Sequence, residues 1–331
     1  MTQTSTSVRS PAAARVPLSR TRRALRAIAI ASCLPYLSLK VAWIAGSRVG
    51  IPEGSSLLEH RGTMVVANSV TVVMDGAVIV LALLLTRPWG QRVPAWLLVG
   101  PTWVASGLLA PIVAGFPLQL LVTAFGGGGD VRAESEPFLD AWVFGVVYTG
   151  FIVQGLALGA LFVLYARDRW GHVWRAWPEG PGRTAPRVLA VASAVVALFP
   201  AGMHLAWACL ATAGLSDGRI SDRTGDFHLL EALYFGFLAA AVTGAWLLAF
   251  RRGRVLSVKV ALALAWIGSG ATACWGVWLS LVSLAGVDGI SEQPTVLMNL
   301  TYAGQMVVGM LVVTVGVHFL AGRSGAARRP A

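Results

Sequence analysis

Eight apolar stretches, each long enough to cross a bilayer, constrain what this chain can fold into. An α-helix rises 1.5 Å per residue, so about 20 apolar residues cross about 30 Å of hydrocarbon. The stretches lie at 25–45, 64–86, 94–116, 138–165, 188–213, 229–250, 258–285 and 296–321. In lipid, a continuous apolar segment satisfies its backbone hydrogen bonds as a helix. The sequence therefore predicts an all-α, polytopic protein of the cell membrane with about eight transmembrane helices.

The basic residues indicate how these helices are oriented. The net charge is +11, but the arginines fall in short runs between apolar stretches, which argues against a nucleic-acid partner. Roughly twenty basic residues lie on the side of the N-terminus and about five on the other, and basic loops stay in the cytoplasm. Both termini are therefore predicted to be cytoplasmic, with disordered tails at 1–24 and 323–331 and a cytoplasmic linker at 166–187.

Matched segments predict an internal duplication. Lys40-Val-Ala-Trp43 matches His204-Leu-Ala-Trp207, and Trp103-Val-Ala-Ser-Gly107 matches Trp266-Ile-Gly-Ser-Gly270, each at a spacing of about 164 residues. Units of four spans insert in the same orientation and are related by a pseudo-twofold axis along the membrane normal. The prediction is two parallel four-helix repeats, 25–165 and 188–322. Chance similarity between helices rich in alanine, glycine and tryptophan is the alternative.

Two charged residues fall inside the predicted spans of the first half. Lys40 lies about six residues from the outer end of the first span, and Asp75 lies near the middle of the second. A charge at such depth costs at least a few kcal/mol unless it is paired or faces water. A structural Lys40–Asp75 pair is one interpretation, and a charge relay or substrate pocket is the other. Asn68 and Thr71 share the helix face of Asp75, so this polar stripe should face protein or water.

His204 is also a candidate site residue, because it takes the place of Lys40 in the second half. Four matched tryptophans complete the set of candidates. A lone histidine on an apolar helix commonly makes an interhelical hydrogen bond, and tryptophans commonly anchor or pack membrane helices. Alternatively, Trp43, Trp103, Trp207 and Trp266 line a pocket for a small organic or cationic ligand.

The plan of eight spans in two four-helix units resembles heme A synthase. In that family, histidines at the outer ends of the even-numbered helices ligate heme, and His60 and His228 match half of this pattern. Asp140 and Asn299 stand at the other two positions, and the loop cysteine pair of the family is absent. The resemblance therefore concerns architecture. The segments P-Y-L-S-L-K-V-A-W and P-T-W-V-A-S-G are also similar to polytopic membrane proteins of actinobacteria, which implies no particular activity.

The motif content favours a binding or transport role over enzymatic chemistry. The sequence has no Walker, H-E-x-x-H or G-x-S-x-G motif, and no cofactor is predicted. The three cysteines lack metal-site spacing and are predicted to be buried. The leading hypothesis is a transporter-like or small-ligand-binding protein with a central site between the repeats, lined by Lys40, Asp75, His204 and the four tryptophans. The alternatives are a redox protein with heme or quinone at His60 and His228, and a structural or regulatory membrane component. No oligomeric state is predicted.

Overall fold

All regular structure in the described part of the protein is helical, as predicted. The computed structural model describes residues 19–53, 55, 58, 61–125, 139–171, 177, 184–221, 223–250, 256–285 and 293–326. The helices are α1 (Arg20–Ala31), α2 (Leu34–Ile44), α3 (Arg61–Leu84), α4 (Ala95–Ala124), α5 (Ala141–Trp170), α6 (Thr184–Ala208), α7 (Asp217–Ser221), α8 (Gly225–Phe250), α9 (Val258–Ala285) and α10 (Val296–Ala326). A short 3-10 turn, Pro88–Arg92, links α3 to α4.

Eight helical segments are long and apolar enough to cross a membrane. The helices α1 and α2 together make the first segment, and α3, α4, α5, α6, α8, α9 and α10 make the others. Each segment overlaps one predicted apolar stretch, so the multi-pass architecture is confirmed. The first begins at Arg20, so the last residues of the predicted tail 1–24 are helical. Most of both predicted tails and half of the linker 166–187 lie outside the described residues.

The first span is interrupted between α1 and α2. Pro35 lacks an N–H and cannot continue the hydrogen-bond ladder of α1. The Cys33 thiol donates to the Ala29 carbonyl oxygen at 3.1 Å, which satisfies one acceptor freed by the break. Gly150 of α5 lies against this break, since a Cβ there would be 3.0 Å from the Ser32 carbonyl oxygen. The interruption is therefore packed against α5.

The spans pack as two groups of four. In the second group α8 and α10 contact each other and also contact both α6 and α9, and α8 and α9 meet at backbone distance. The core of this group consists largely of small residues, among them Ala190, Ala241, Ala245, Ala261 and Ala265. In the first group α1–α2, α3, α4 and α5 pack together, and α4 also contacts α8 and α9 of the second group. The helix α4 therefore joins the two groups.

The helix α3 packs loosely at the edge of the first group. Its outward face carries exposed valines, including Val66, Val70 and Val73, which suit contact with lipid. Its buried face is a single stripe that includes Asn68 and Asp75. The buried polar side chains of α3 are therefore Asn68 and Asp75, which belong to the predicted polar stripe.

The cysteine prediction is correct for two residues and wrong for the third. Cys33 and Cys274 are buried, whereas Cys209 is exposed. Cys209 follows the last residue of α6 and precedes Leu210, whose φ is 72°. The chain turns sharply away from the helix there, which places the thiol outside the packed interior.

Candidate functional site

Trp43 and Trp207 close equivalent turns at the ends of α2 and α6. The Trp43 indole N–H donates to the Val49 carbonyl oxygen at 2.7 Å, and the Trp207 indole N–H donates to the Ala213 carbonyl oxygen at 2.9 Å. Both rings are buried, each in its own apolar cluster. The polar atom of each tryptophan is therefore used by its own turn, and both residues act as packing anchors.

The backbone of these two turns is also alike. The positive φ angles in the described chain occur at Gly46 (97°) and Gly50 (74°) after α2, and at Leu210 (72°) and Gly214 (77°) after α6. Gly46 and Leu210 are as far apart in the chain as Lys40 and His204 are, and the same holds for Gly50 and Gly214. A Cβ added at Gly50 would overlap a valine of α5, and one added at Gly214 would overlap a leucine of α10. The two turns therefore follow the same path against the fourth helix of their group.

Trp103 and Trp266 join the two groups where α4 crosses α9. The Trp103 indole N–H donates to Ser269 Oγ at 3.1 Å, and the Trp266 indole N–H donates to Ser106 Oγ at 2.8 Å. Gly107 faces Gly270 at this crossing, where a Cβ added at Gly270 would lie only 3.1 Å from the Gly107 Cα. Each group therefore supplies one indole donor and one hydroxyl acceptor to the crossing. These tryptophans therefore hold the groups together.

Lys40 and Asp75 lie near each other in the first group, on α2 and α3. The Lys40 ammonium lies 4.8 Å from the ring centroid of Tyr36 and 5.6 Å from that of Trp43. It interacts electrostatically with Asp75, yet among the described residues the two form no ion pair within 4.0 Å. The two charges thus lie near each other, but the direct structural pair, which was one of the two interpretations of the sequence, does not form among the described residues.

The Asp75 carboxyl group is deeply buried and incompletely bonded. Asp75 is 5% exposed, and its Oδ2 has no hydrogen-bond partner among the described residues. The side chain of Gln154, on α5, lies close enough to donate a hydrogen bond to the carboxylate. Asn68 is buried and Thr71 is half-buried, so the predicted orientation of the polar stripe toward protein is confirmed. Gln154 was missed because a single amide inside an apolar span gives no sequence pattern.

His204 lies in a second buried polar cluster, within the second group. Its Nδ1 is 2.5 Å from Glu231 Oε2 on α8, and its Nε2 is 2.9 Å from Gln305 Oε1 on α10. Both ring nitrogens therefore face oxygen atoms, and the Glu231 carboxylate is paired. Glu231 was not singled out as a site residue from the sequence, and it lies near the start of the apolar stretch 229–250.

The two polar clusters are alike in composition but not in bonding. Each has a basic, an acidic and a glutamine side chain on the first, second and fourth spans of its group. In the second cluster the acidic group is bonded, and the unpaired atom is the neutral amide nitrogen of Gln305. In the first cluster the unpaired atom belongs to the carboxyl group of Asp75. The seven predicted site residues thus fall into three places: Lys40, Trp43 and Asp75; His204 and Trp207; and Trp103 and Trp266.

The histidines proposed as heme ligands are placed only in part. His228 Nδ1 lies 2.8 Å from the Trp207 carbonyl oxygen, so this nitrogen serves as a donor within the protein. His60 lies outside the described residues. Among the residues with described positions, no group of three or more His, Cys, Asp or Glu side chains could hold a metal ion. Heme binding at His60 and His228 stays an untested alternative.

Comparisons with other proteins add no family to this picture. No protein-family model, no curated protein and no solved structure matches this chain. The geometry of the two polar clusters is therefore the feature that bears on function.

Proposed function

We propose that the protein is a transporter-like or small-ligand-binding membrane protein whose ligand binds beside Asp75 in the first group of helices. The observation that carries this proposal is the buried Asp75 Oδ2, which lacks a hydrogen-bond partner among the described residues. An unsatisfied buried polar group costs about 1–3 kcal/mol, and a charged one costs more. A ligand that donates a hydrogen bond or positive charge to this oxygen removes that cost when it binds.

The second polar cluster supports this assignment by contrast. Glu231 is paired with His204 at 2.5 Å, so its carboxylate needs no ligand. Removing one partner from such a buried pair is costly, which is how a structural pair behaves. Of two clusters with similar composition, the one around Asp75 leaves a carboxyl oxygen available and is therefore the binding site.

We further propose that the two groups arose by duplication and insert in the same orientation, with both termini in the cytoplasm. The equivalent turns after α2 and α6 and the reciprocal Trp–Ser hydrogen bonds support the duplication. The excess of basic residues on the side of the termini supports the orientation. In this arrangement the α4–α9 crossing lies on the pseudo-twofold axis, and the Asp75 site lies within one of the two copies.

A thermal-shift screen of the detergent-purified protein tests this function. The panel contains inorganic cations, small amines, amino acids and organic anions, applied to wild type, Asp75→Asn and Glu231→Gln. A ligand at 100 times its dissociation constant stabilises the folded state by about 2.7 kcal/mol, which raises the melting temperature by several degrees. We expect such a rise in wild type and Glu231→Gln but not in Asp75→Asn. A panel without any Asp75-dependent effect would count against the proposal.

The control variant is matched to the test variant. Glu231→Gln also removes a carboxylate from a membrane span but keeps an acceptor for His204. Circular dichroism and gel filtration establish that both variants are folded. An absorbance spectrum of the same samples separates the redox alternative, because a Soret band would make His228 and His60 the next residues to replace.

A further inference from the structure

We propose that the ligand of the Asp75 site is a small zwitterion, a molecule that carries both an ammonium and a carboxylate group. This inference rests on the proposed function and names the ligand class of the same site. The carboxylate of the ligand binds the Lys40 ammonium, and its ammonium binds Asp75 Oδ2. The ligand thus bridges two protein groups of opposite charge.

Lys40 supplies the positive end of the site. Its ammonium lies over the rings of Tyr36 and Trp43, at 4.8 Å and 5.6 Å from their centroids. Aromatic faces attract a cation but accept no strong hydrogen bond from it. The ammonium has three N–H donors, and it forms no ion pair within 4.0 Å with any carboxylate that the structure describes. Among the described residues, no anionic acceptor therefore lies at this end.

Asp75 supplies the negative end. Gln154 lies beside its carboxylate, yet Oδ2 has no hydrogen-bond partner in the described part of the chain. The residue is 5% exposed, so bulk water does not solvate this oxygen freely. A donor, and best a charged donor, is therefore missing at this end.

The combination of both ends selects a dipolar ligand over a singly charged one. Lys40 and Asp75 interact electrostatically across a gap of more than 4.0 Å. A simple cation at Asp75 would be repelled by the nearby ammonium, and a simple anion at Lys40 would be repelled by the carboxylate. A zwitterion satisfies both groups and leaves the net charge of the site unchanged. Net charge inside a membrane is expensive, so this electroneutrality favours binding.

The test uses three zwitterions of increasing length, glycine, β-alanine and 4-aminobutyrate, with ethylamine and propionate as singly charged controls. Each probe is added at low millimolar concentration and constant ionic strength to the purified full-length protein. We expect at least one zwitterion to raise the melting temperature by about 3 °C or more, and neither control to do so. Lys40→Met and Asp75→Asn should each abolish the rise, whereas Lys40→Arg and Glu231→Gln should retain it.

The outcomes separate this inference from the proposed function. A rise with ethylamine that depends on Asp75, without a rise for any zwitterion, overturns the zwitterion class and leaves the proposed function standing. A zwitterion effect that persists in both Lys40→Met and Asp75→Asn is a general osmolyte effect and also overturns the inference. If no compound of this or the wider panel acts through Asp75, both proposals fail. Should Asp75→Asn not fold, the comparison of Lys40→Met with Lys40→Arg decides the same question.

Discussion

The crossing of α4 and α9 predicts very different effects for two glycine substitutions in one helix. In Gly107→Ala the new Cβ would lie 2.5 Å from the carbonyl carbon and 2.8 Å from the Cα of Gly270, and it would overlap the carbonyl oxygen. These are backbone atoms, so no side-chain rotation relieves the overlap. In Gly100→Ala the new Cβ meets nothing within 4 Å. The second variant is therefore a matched control on α4.

The size of the difference follows from the contacts at the crossing. Overpacking a close contact costs about 1–3 kcal/mol. Moving α4 away from α9 to relieve it also strains the hydrogen bonds of Trp103 and Trp266, each worth about 0.5–1.5 kcal/mol. Both variants gain the same helix propensity from alanine, so this contribution cancels. We expect Gly107→Ala to be less stable than Gly100→Ala by about 2–6 kcal/mol.

Unfolding by sodium dodecyl sulfate in mixed micelles, followed by circular dichroism, measures this difference. Gly270→Ala should show a smaller loss than Gly107→Ala, because its Cβ lies 3.1 Å from the Gly107 Cα and 3.3 Å from the Trp103 carbonyl oxygen. Equal unfolding midpoints for Gly107→Ala and Gly100→Ala would refute the close crossing of the two helices.

Three further predictions concern the other contacts. Ser106→Ala and Ser269→Ala should each cost about 1 kcal/mol in the same unfolding assay, because each leaves one indole N–H without its acceptor; a loss in only one of them would contradict the reciprocal arrangement. Glu231→Ala should cost about 3 kcal/mol, and Glu231→Gln clearly less, because only the amide keeps an acceptor for His204. With both termini cytoplasmic, a membrane-impermeant maleimide should label exposed Cys209 in intact cells, and labelling only after permeabilisation would reverse the proposed orientation.

The fold was predictable because membrane insertion imposes its own sequence signal. Each span must be apolar over about 20 residues, so length and composition alone locate it. Details within a span were less accessible. The break at Ser32 and Cys33 was not predicted, although Pro35 lies at the middle of the predicted span 25–45 and a proline inside a helix kinks or breaks it. The exposure of Cys209 depends on the left-handed backbone at Leu210, which a leucine does not signal.

The candidate site was predictable in its charged members and not in their partners. Lys40 and Asp75 stand out because charges are rare within apolar stretches. Whether the two side chains form an ion pair depends on how α2 packs against α3. The sequence does not show the distance between the Lys40 ammonium and the Asp75 carboxylate. The serine partners of Trp103 and Trp266 lie 166 and 160 residues away in the chain. Only the three-dimensional crossing of α4 and α9 brings them together.

The reciprocal Trp–Ser crossing has a consequence for how such a protein can evolve. Each half carries both the indole donor and the hydroxyl acceptor, so its crossing surface is self-complementary, as in a symmetric dimer of identical chains. In a homodimer every substitution appears twice, and the two polar clusters would have to change together. Once the two copies are fused in one chain, each cluster mutates independently. Under the proposed duplication, the fused chain can therefore retain one cluster with a paired, structural carboxylate while the other cluster acquires a ligand.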